Sequence, residues 1–408
     1  MARQIPQITL QYSMLLIFIL ISIITIALSR GMTLRERINE FSRGAGQKDL
    51  LMMVWIFVLA GSFAASAKAM GAVDAMVNLT LQLLPTSFLL AGLFIAACLV
   101  SLCMGTSVGT IVALMPIAAS LADKTSMALP LMAASIVGGA FFGDNLSFIS
   151  DTTIVATQSQ GCQTRDKFRY NFYLVLPAAV IVCVIYYFLG ERATLPTSQP
   201  AFSLIHKTIP YIVVLLTAAL GMNVMIVLLI GNLLTGIVGI ADGSYSLIGW
   251  TESLTTGIMS MSELILISML AGGIFALITK RGIMELLINI ISRKVHSCRG
   301  AEMSICLLVV CFNIITANNT VAILSVGDIA CKIALRYRID SRRCASLLDT
   351  TSCAVQGLLP YGAQLLMASA LTGITALSII PYLYYPMLMG VIVIMTILVK
   401  RKGDKANC

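Results

Sequence analysis

The sequence predicts an all-α polytopic membrane protein of about 10–12 transmembrane helices, built as two inverted repeats with broken or re-entrant helices. Three observations lead there. Hydrophobic residues make up 58% of the 408-residue chain and charged ones 11%, with a mean hydropathy of +0.94, far from the composition of a soluble domain. Apolar runs near the roughly 20 residues that span a bilayer recur from end to end. The second half of the chain also repeats the first, with its basic loops in the opposite phase.

The first apolar run, residues 9–29, could be taken for a signal peptide ending at Ala27-Leu28-Ser29. Its core exceeds the usual length of about 7–15 residues and only Arg3 precedes it, so a transmembrane helix is expected. A basic loop with Arg30, Arg35, Arg37, Arg43 and Lys48 follows. Apolar segments come next at 50–66, 71–83 and 86–104, the last running into Gly105-Thr-Ser-Val-Gly-Thr110, a polar interruption at membrane depth. Segments 110–122 and 128–142 lead into GGAFFGDNLSFISDTTIVATQSQG (138–161), and a helix at 171–190 ends the half. Residues 191–208, with Pro196, Pro200 and mixed charge, read as a linker loop. The repeats are therefore expected at 1–190 and 209–408. The span 209–240 is long for one crossing and short for two, and a bend near Gly221-Met-Asn223 would give two short helices.

The duplication is visible in aligned segments. LAGSFAASAKAMGAVDAMVN (59–78) matches LAGGIFALITKRGIMELLIN (270–289), superposing Gly61 on Gly272, Gly71 on Gly282, Asp74 on Glu285 and Asn78 on Asn289. The interruption at Gly105–Thr110 finds a counterpart in Ala317-Asn318-Asn319-Thr320. Ser150-Asp-Thr-Thr153 finds one in Leu348-Asp-Thr-Thr351, after a shorter connection, which makes Asp151 and Asp349 mates. In the first half the basic loops are 30–48 and 165–169; in the second they are 280–299, 332–343 and the tail from Lys400. The counterparts of these loops are poor in Lys and Arg, so the halves are expected to lie in opposite orientations. The same rule places the C-terminus on the cytoplasmic side of an inner membrane. It also accounts for the net charge of +9 without a nucleic-acid partner.

Polar residues that are expensive at membrane depth fall into two groups. The first half supplies Thr106, Ser107, Thr110, Asp144, Asn145, Ser147, Ser150, Asp151, Thr152 and Thr153, and the second Asn318, Asn319, Thr320, Asp328, Asp349, Thr350, Thr351 and Gln356. Intramembrane acids usually face a cavity and handle an ion or proton. Hydroxyls, amides and broken-helix carbonyls are oxygen ligands for an alkali cation. A desolvated carboxylate can hold either a proton or the metal ion, which is sufficient chemistry for exchange. Plainer readings exist: Asp followed by Thr-Thr is an ordinary N-cap, Thr110 and Thr320 could bond their own backbone, and Asp144 could be a solvated charge at a cavity lip. No Lys or Arg falls inside this constellation, which favours a cation over an organic anion. Asp74 and Glu285 read as solvated surface, and Asp328 equally as a salt-bridge partner of Lys332 or Arg336 or as an ion-handling group.

Other chemistries find little support. Eleven cysteines without a C-x-x-C and only two histidines, His206 and His296, argue against structural zinc and suggest reduced thiols. No Walker sequence is present. Phe141-Phe-Gly-Asp144 lacks the first glycine of the G-x-G-D of intramembrane aspartyl proteases, so no enzyme activity is expected. No cofactor is called for beyond transported sodium and protons; the partners are the bilayer and the cargo, and a homodimer is compatible with the pattern.

Gly143-Asp-Asn-Leu-Ser-Phe-Ile-Ser-Asp-Thr-Thr153 resembles the G-D-x-x-S-P-x-S-D-T-T segment of the NhaC-type sodium/proton antiporter family, with Phe148 in place of the usual proline. Gly105–Thr110 is similar to the family's G-T-S-x-G-T, and Leu359-Pro-Tyr-Gly362 to its L-I-P-W-G element. The resemblance covers most of the chain. It implies a secondary antiporter of inverted repeats that exchanges sodium for protons, or couples ions to organic acids or amino acids.

Overall fold

The computed structural model describes residues 5–29, 31–83, 85–125, 127–190, 206–292 and 297–399. The expected linker as far as residue 205, the basic tail from Lys400, and Arg30, Arg293, Lys294 and His296 lie outside them. Among the described residues the chain is helical with no β-strand. The first nine helices are α1 (Ile5–Leu28), α2 (Leu34–Ala45), α3 (Lys48–Ala69), α4 (Ala72–Leu83), α5 (Leu89–Met104), α6 (Ser107–Thr125), α7 (Leu129–Leu146), α8 (Asp151–Ser159) and α9 (Thr164–Leu189). A separate α10 (Ile209–Ala219) follows. Then come α11 (Val224–Ala241), α12 (Leu247–Ser260), α13 (Ser262–Lys280), α14 (Ile283–Ser292), α15 (Cys298–Thr316), α16 (Asn319–Arg336), α17 (Ser341–Gln356), α18 (Ala363–Thr372), α19 (Ala376–Ile379) and α20 (Tyr384–Leu398).

Among the described residues seven stretches are long and apolar enough to cross a membrane, and an eighth counts if α18 and the segment 376–382, bent by 99°, form one span. Four shorter apolar helices raise the number further, so the expected range falls between the strict count and the generous one. The protein is a multi-pass membrane protein. Its fractured helices explain why the count is elastic. The bend expected near Gly221 is present: Gly221 takes a φ of +74°, and the Asn223 side chain accepts from the Met225 N–H at 2.9 Å to start α11.

The helix order repeats. α3 and α4 are separated at Gly71 (φ +81°) as α13 and α14 are at Gly282 (φ +69°), a left-handed conformation that glycine adopts at no steric cost. α5 ends at Gly105 (φ +67°) and α15 at Ala317 (φ +52°), both left-handed caps before a new helix starts two residues on. Ser101 donates to the Ala140 carbonyl at 2.6 Å, and Asn313, at the matching position of α15, donates to the Ser352 carbonyl at 2.7 Å. The same rung therefore ties α5 to α7 and α15 to α17.

Contacts between the repeats are reciprocal. α2 packs on α13 and α12 on α3; α8 packs on α16 and α18 on α6. Such a swap is what a two-fold axis produces. Two glycine pairs let backbones touch in the first swap. A Cβ on Gly44 would strike the Gly272 carbonyl and Ala276, and one on Gly257 would strike the Gly61 carbonyl. Small residues of this kind drive helix association in lipid, where there is no hydrophobic gain to exploit.

Several ionic ties lie at the ends of the spans. Asp74 pairs with Lys124 at 2.9 Å, in line with its reading as surface. Beyond α11, Asp242 pairs with Lys207 at 2.7 Å and His206 at 2.6 Å. Hydrogen bonds from Lys207, Ser244 and His206 hold its carboxyl well below the usual carboxylate range. Asp328 is exposed, and no ion pair to Lys332 or Arg336 is seen among the described residues. Cys298 is disulfide-bonded, against the expectation of thiols throughout, while the other described cysteines are free.

Overpacking the glycine contacts tests the swap. Gly61→Val or Gly257→Val should destabilise the fold by roughly 1–3 kcal/mol, read as a lowered melting temperature in detergent. Gly390→Ala, whose Cβ would meet nothing within 4 Å, should leave it unchanged.

Candidate functional site

The two helix breaks position the site. At the first, α5 stops at Gly105 and α6 begins at Ser107, so the N-terminal amides of α6 point into the protein interior. Asp144, in the last turn of α7 and only 4% exposed, accepts the Ser107 N–H at 2.9 Å. A carboxylate there sits at the positive end of a helix dipole. Gly143 makes the approach feasible, because a Cβ would run into Ser101.

After α7 the chain leaves the helix at 147–150 and restarts as α8. Ser147 caps α7, its N–H on the Gly143 carbonyl at 2.7 Å and its hydroxyl accepting from Ile149 N–H at 3.3 Å. Thr152 and Thr153 in the first turn of α8 are buried and both donate to the Asp144 carbonyl at 3.3 Å. Asp151, at the start of α8, is exposed. The non-helical turn places Asp144 and Asp151 on separate elements rather than on one helical face.

Asp349 stands in the middle of α17 and is completely buried. Its Oδ2 pairs with the Lys167 ammonium at 2.6 Å and accepts from Asn171 Nδ2 at 3.1 Å. Lys167 also donates to Thr153 Oγ1 at 2.6 Å and to the Asn145 carbonyl at 3.0 Å. All three ammonium donors are thus satisfied. This corrects the expectation that no basic residue enters the constellation: Lys167 was assigned to a surface loop, yet it is 1% exposed in the centre of the cluster.

The pairing of Asp151 with Asp349 is corrected as well. With Ser101 matching Asn313, Gly105 matching Ala317 and Ala140 matching Ser352, the position of Asp144 falls on Gln356 and that of Asp349 on Val137. Asp151 opens a helix, whereas Asp349 lies inside one. Gln356 does for the second break the converse of what Asp144 does for the first. Its Nε2 donates to the Ala317 carbonyl at 2.9 Å, the C-terminal end of α15.

Gln356 also joins the breaks. It donates to Gln364 Oε1 at 3.0 Å, and Gln364 donates to Ser107 Oγ at 3.0 Å. A hydrogen-bonded path therefore runs from Asp144 through Ser107, Gln364 and Gln356 to Ala317. Asn318 and Asn319 act locally, accepting from Val321 N–H and Thr320 N–H, each at 3.1 Å. Thr320 is half-buried in the first turn of α16. Thr110 bonds back to the Thr106 carbonyl at 3.1 Å. The structure thus brings Asp144, Thr152 and Asp349 together, keeps Ser147 beside them, and leaves Asn318, Asn319 and Thr320 at the second break. Of the expected polar residues it also brings in Asn145, Thr153 and Gln356; its additions are Lys167, Asn171 and Gln364. Lys167 was legible: stepping back along the buried stripe of α9 from Val182 through Ala178, Leu174 and Asn171 lands on it.

The chain is similar to known antiporters. Over 371 residues the chain is 24% identical to the malate-2H+/Na+-lactate antiporter of Bacillus subtilis, covering 83% of this chain and 78% of that one. It is 23% identical over 379 residues to the Na+/H+ antiporter NhaC of Alkalihalophilus pseudofirmus, covering 83% and 80%. The NhaC of B. subtilis is 23% identical over 390 residues, covering 87% and 85%. The model of the Na+/H+ antiporter family matches residues 5–191 and 197–400. The chain belongs to the Na+/H+ antiporter family.

Proposed function

We propose that this antiporter exchanges Na+ for H+ across the cytoplasmic membrane by means of its intramembrane carboxylates, with no enzymatic activity and with the C-terminus on the cytoplasmic side. The observation that carries the reading is Asp144, a buried carboxylate held against the opened end of α6 by the Ser107 N–H. Carboxylates retained at such depth are typically functional. Asp144 binds the ion or proton, Asp151 serves at the exposed start of α8, and Asp349 completes the cluster from the other repeat. Ser147 and Thr152 add oxygens near Asp144. Thr110, Asn318, Asn319 and Thr320 hold the ends of the broken helices in place. A cavity of about 420 Å³, bordered by Lys68, Asp74, Asp123 and Lys124, opens at the far ends of α6 and α18. A smaller one of about 60 Å³ reaches Ala317, Asn318 and Ala363 at the second break. Both serve as access vestibules as the α8 and α18 hairpins shift against their neighbours.

A second reading is ion-coupled antiport of a small organic acid. It is favoured by the buried Lys167, which places a cation where a carboxylate substrate would need one, and by the malate and lactate relative.

In everted vesicles, NaCl should dissipate a respiration-driven ΔpH through the wild type. Asp144→Asn should lower that activity by roughly tenfold or more, with protein levels unchanged, as loss of about 1.4 kcal/mol or more of cation stabilisation requires. Wild-type activity in Asp144→Asn would remove the central carboxylate from the mechanism. In proteoliposomes, counterflow of labelled malate or lactate should be absent under the first reading. Counterflow together with a weak response to Na+ alone would select the second.

A further inference from the structure

The Lys167 ammonium is held by three oxygens of different kinds drawn from three helices. They are Asp349 Oδ2 at 2.6 Å, Thr153 Oγ1 at 2.6 Å and the Asn145 carbonyl at 3.0 Å. One carboxylate, one hydroxyl and one backbone carbonyl at the end of a broken helix make up the donor set of an alkali-cation site. Two further oxygens are left over beside it. Asn145 and Asn171 are at most 1% exposed, and the Oδ1 of each has no hydrogen-bond partner. Their amide nitrogens are both engaged around the cluster, Asn171 on Asp349 and on the Asn145 carbonyl, Asn145 on Tyr385. Buried carbonyl oxygens without a donor are rare and costly, and a metal ion needs acceptors rather than donors.

We propose that the oxygens around the Lys167 ammonium are the binding site for the transported monovalent cation, and that Lys167 is a tethered occupant which the cation must displace. Asp349, Thr153 and Asn145 are the ligands, with Asn171 completing the shell by turning its free oxygen inward. The side chain of Lys167 leaves along α9 when the cation arrives and returns when it departs, so the site does not stand empty inside the bilayer. The inference rests on the cation-exchange reading and deepens it by naming the ligands of the metal ion. Asp144, on the neighbouring helix end with its carboxylate on the Ser107 N–H, is then left to carry the proton.

The test is sodium-dependent stability of the purified full-length protein, which needs no transport. A ligand that binds only the folded state raises the melting temperature with its concentration. Lys167→Met removes the occupant and leaves Asp349 uncompensated. The variant should be less stable than wild type in choline chloride and should recover in NaCl, with apparent sodium binding tighter than that of wild type. The expected gain is roughly tenfold or more, because a site occupied most of the time by its own lysine binds weakly in proportion. KCl at equal ionic strength should give less recovery. The double variant Lys167→Met/Asp349→Asn should fold without sodium and lose the response.

Equal melting curves for Lys167→Met in NaCl and choline chloride would overturn the proposal, and so would a double variant that still responds to sodium. If Lys167→Met is recovered only when expressed and purified in sodium, that dependence counts in its favour, and the double variant still decides. Failure of the exchange reading looks different: wild-type vesicles would show no sodium-driven proton movement, whatever the binding curves of Lys167→Met.

Discussion

A broken helix inside a bilayer leaves backbone amides and carbonyls with no water to meet them, and each one left unpaired costs several kcal/mol. This constraint governs the whole arrangement. Each repeat interrupts a helix at a left-handed residue, Gly105 or Ala317, and supplies a partner from its own later helix, Asp144 or Gln356. The other repeat adds contacts on each side: Gln364 of α18 sits on Ser107 at the first break, and Gln160, at the end of α8, donates to the Gly327 carbonyl in the middle of α16 at 2.9 Å. The reciprocal glycine contacts of Gly44 with Gly272 and of Gly61 with Gly257 hold the exchange at its periphery.

The polar centre is costly in the same terms. An ion pair taken fully out of water rarely gains in net stability, but removing one partner is strongly destabilising. Lys167 and Asp349 join α9 of the first repeat to α17 of the second, so the pair is also a tie between the halves. Fully satisfied networks are rigid, and partly satisfied ones are where a structure yields. The orphan oxygens of Asn145, Asn171, Asn313 and Gln356 lie on α7, α9, α15 and α17, and others, those of Tyr211, Asn232 and Ser346 among them, lie on α10, α11 and α17.

Much of this was written in the sequence, and the limits have physical causes. The bends at Gly71, Gly282 and Gly221 and the interruption at Gly105 are readable because a positive φ selects glycine. Ala317 breaks that rule, and only the polar Asn318-Asn319 beside it betrays the second interruption. The pairing of Asp151 with Asp349 failed because a three-residue match of Asp-Thr-Thr carries no information on helix phase: one copy caps a helix and the other is buried within it. Lys167 was misassigned because charge was read by counting along the loop. The alternative was to continue the buried face of α9 backwards, which the i, i+4 spacing of Lys167 and Asn171 permits. The Phe148 substitution was harmless to the turn. Phe148 stacks on Phe168 at 4.4 Å, and Pro360, at the matching position of the second repeat, occupies the corresponding break between α17 and α18.

The two-fold relation of the backbone makes the asymmetry of the side chains informative. A symmetric polar centre would place equal acids on α7 and α17. Instead the mate of Asp144 is the amide Gln356, and the mate of Asp349 is Val137, fully buried among apolar neighbours. Lys167, Asn171, Asn145 and Thr153 all belong to the first repeat, and Asp349 alone comes from the second to meet them. The charged cluster therefore draws unequally on the two repeats. Any displacement of α17 against the first repeat would carry four of the five groups together and shift the fifth, so the coordination around Lys167 depends on the relative position of the two halves in a way that a cluster drawn equally from both would not.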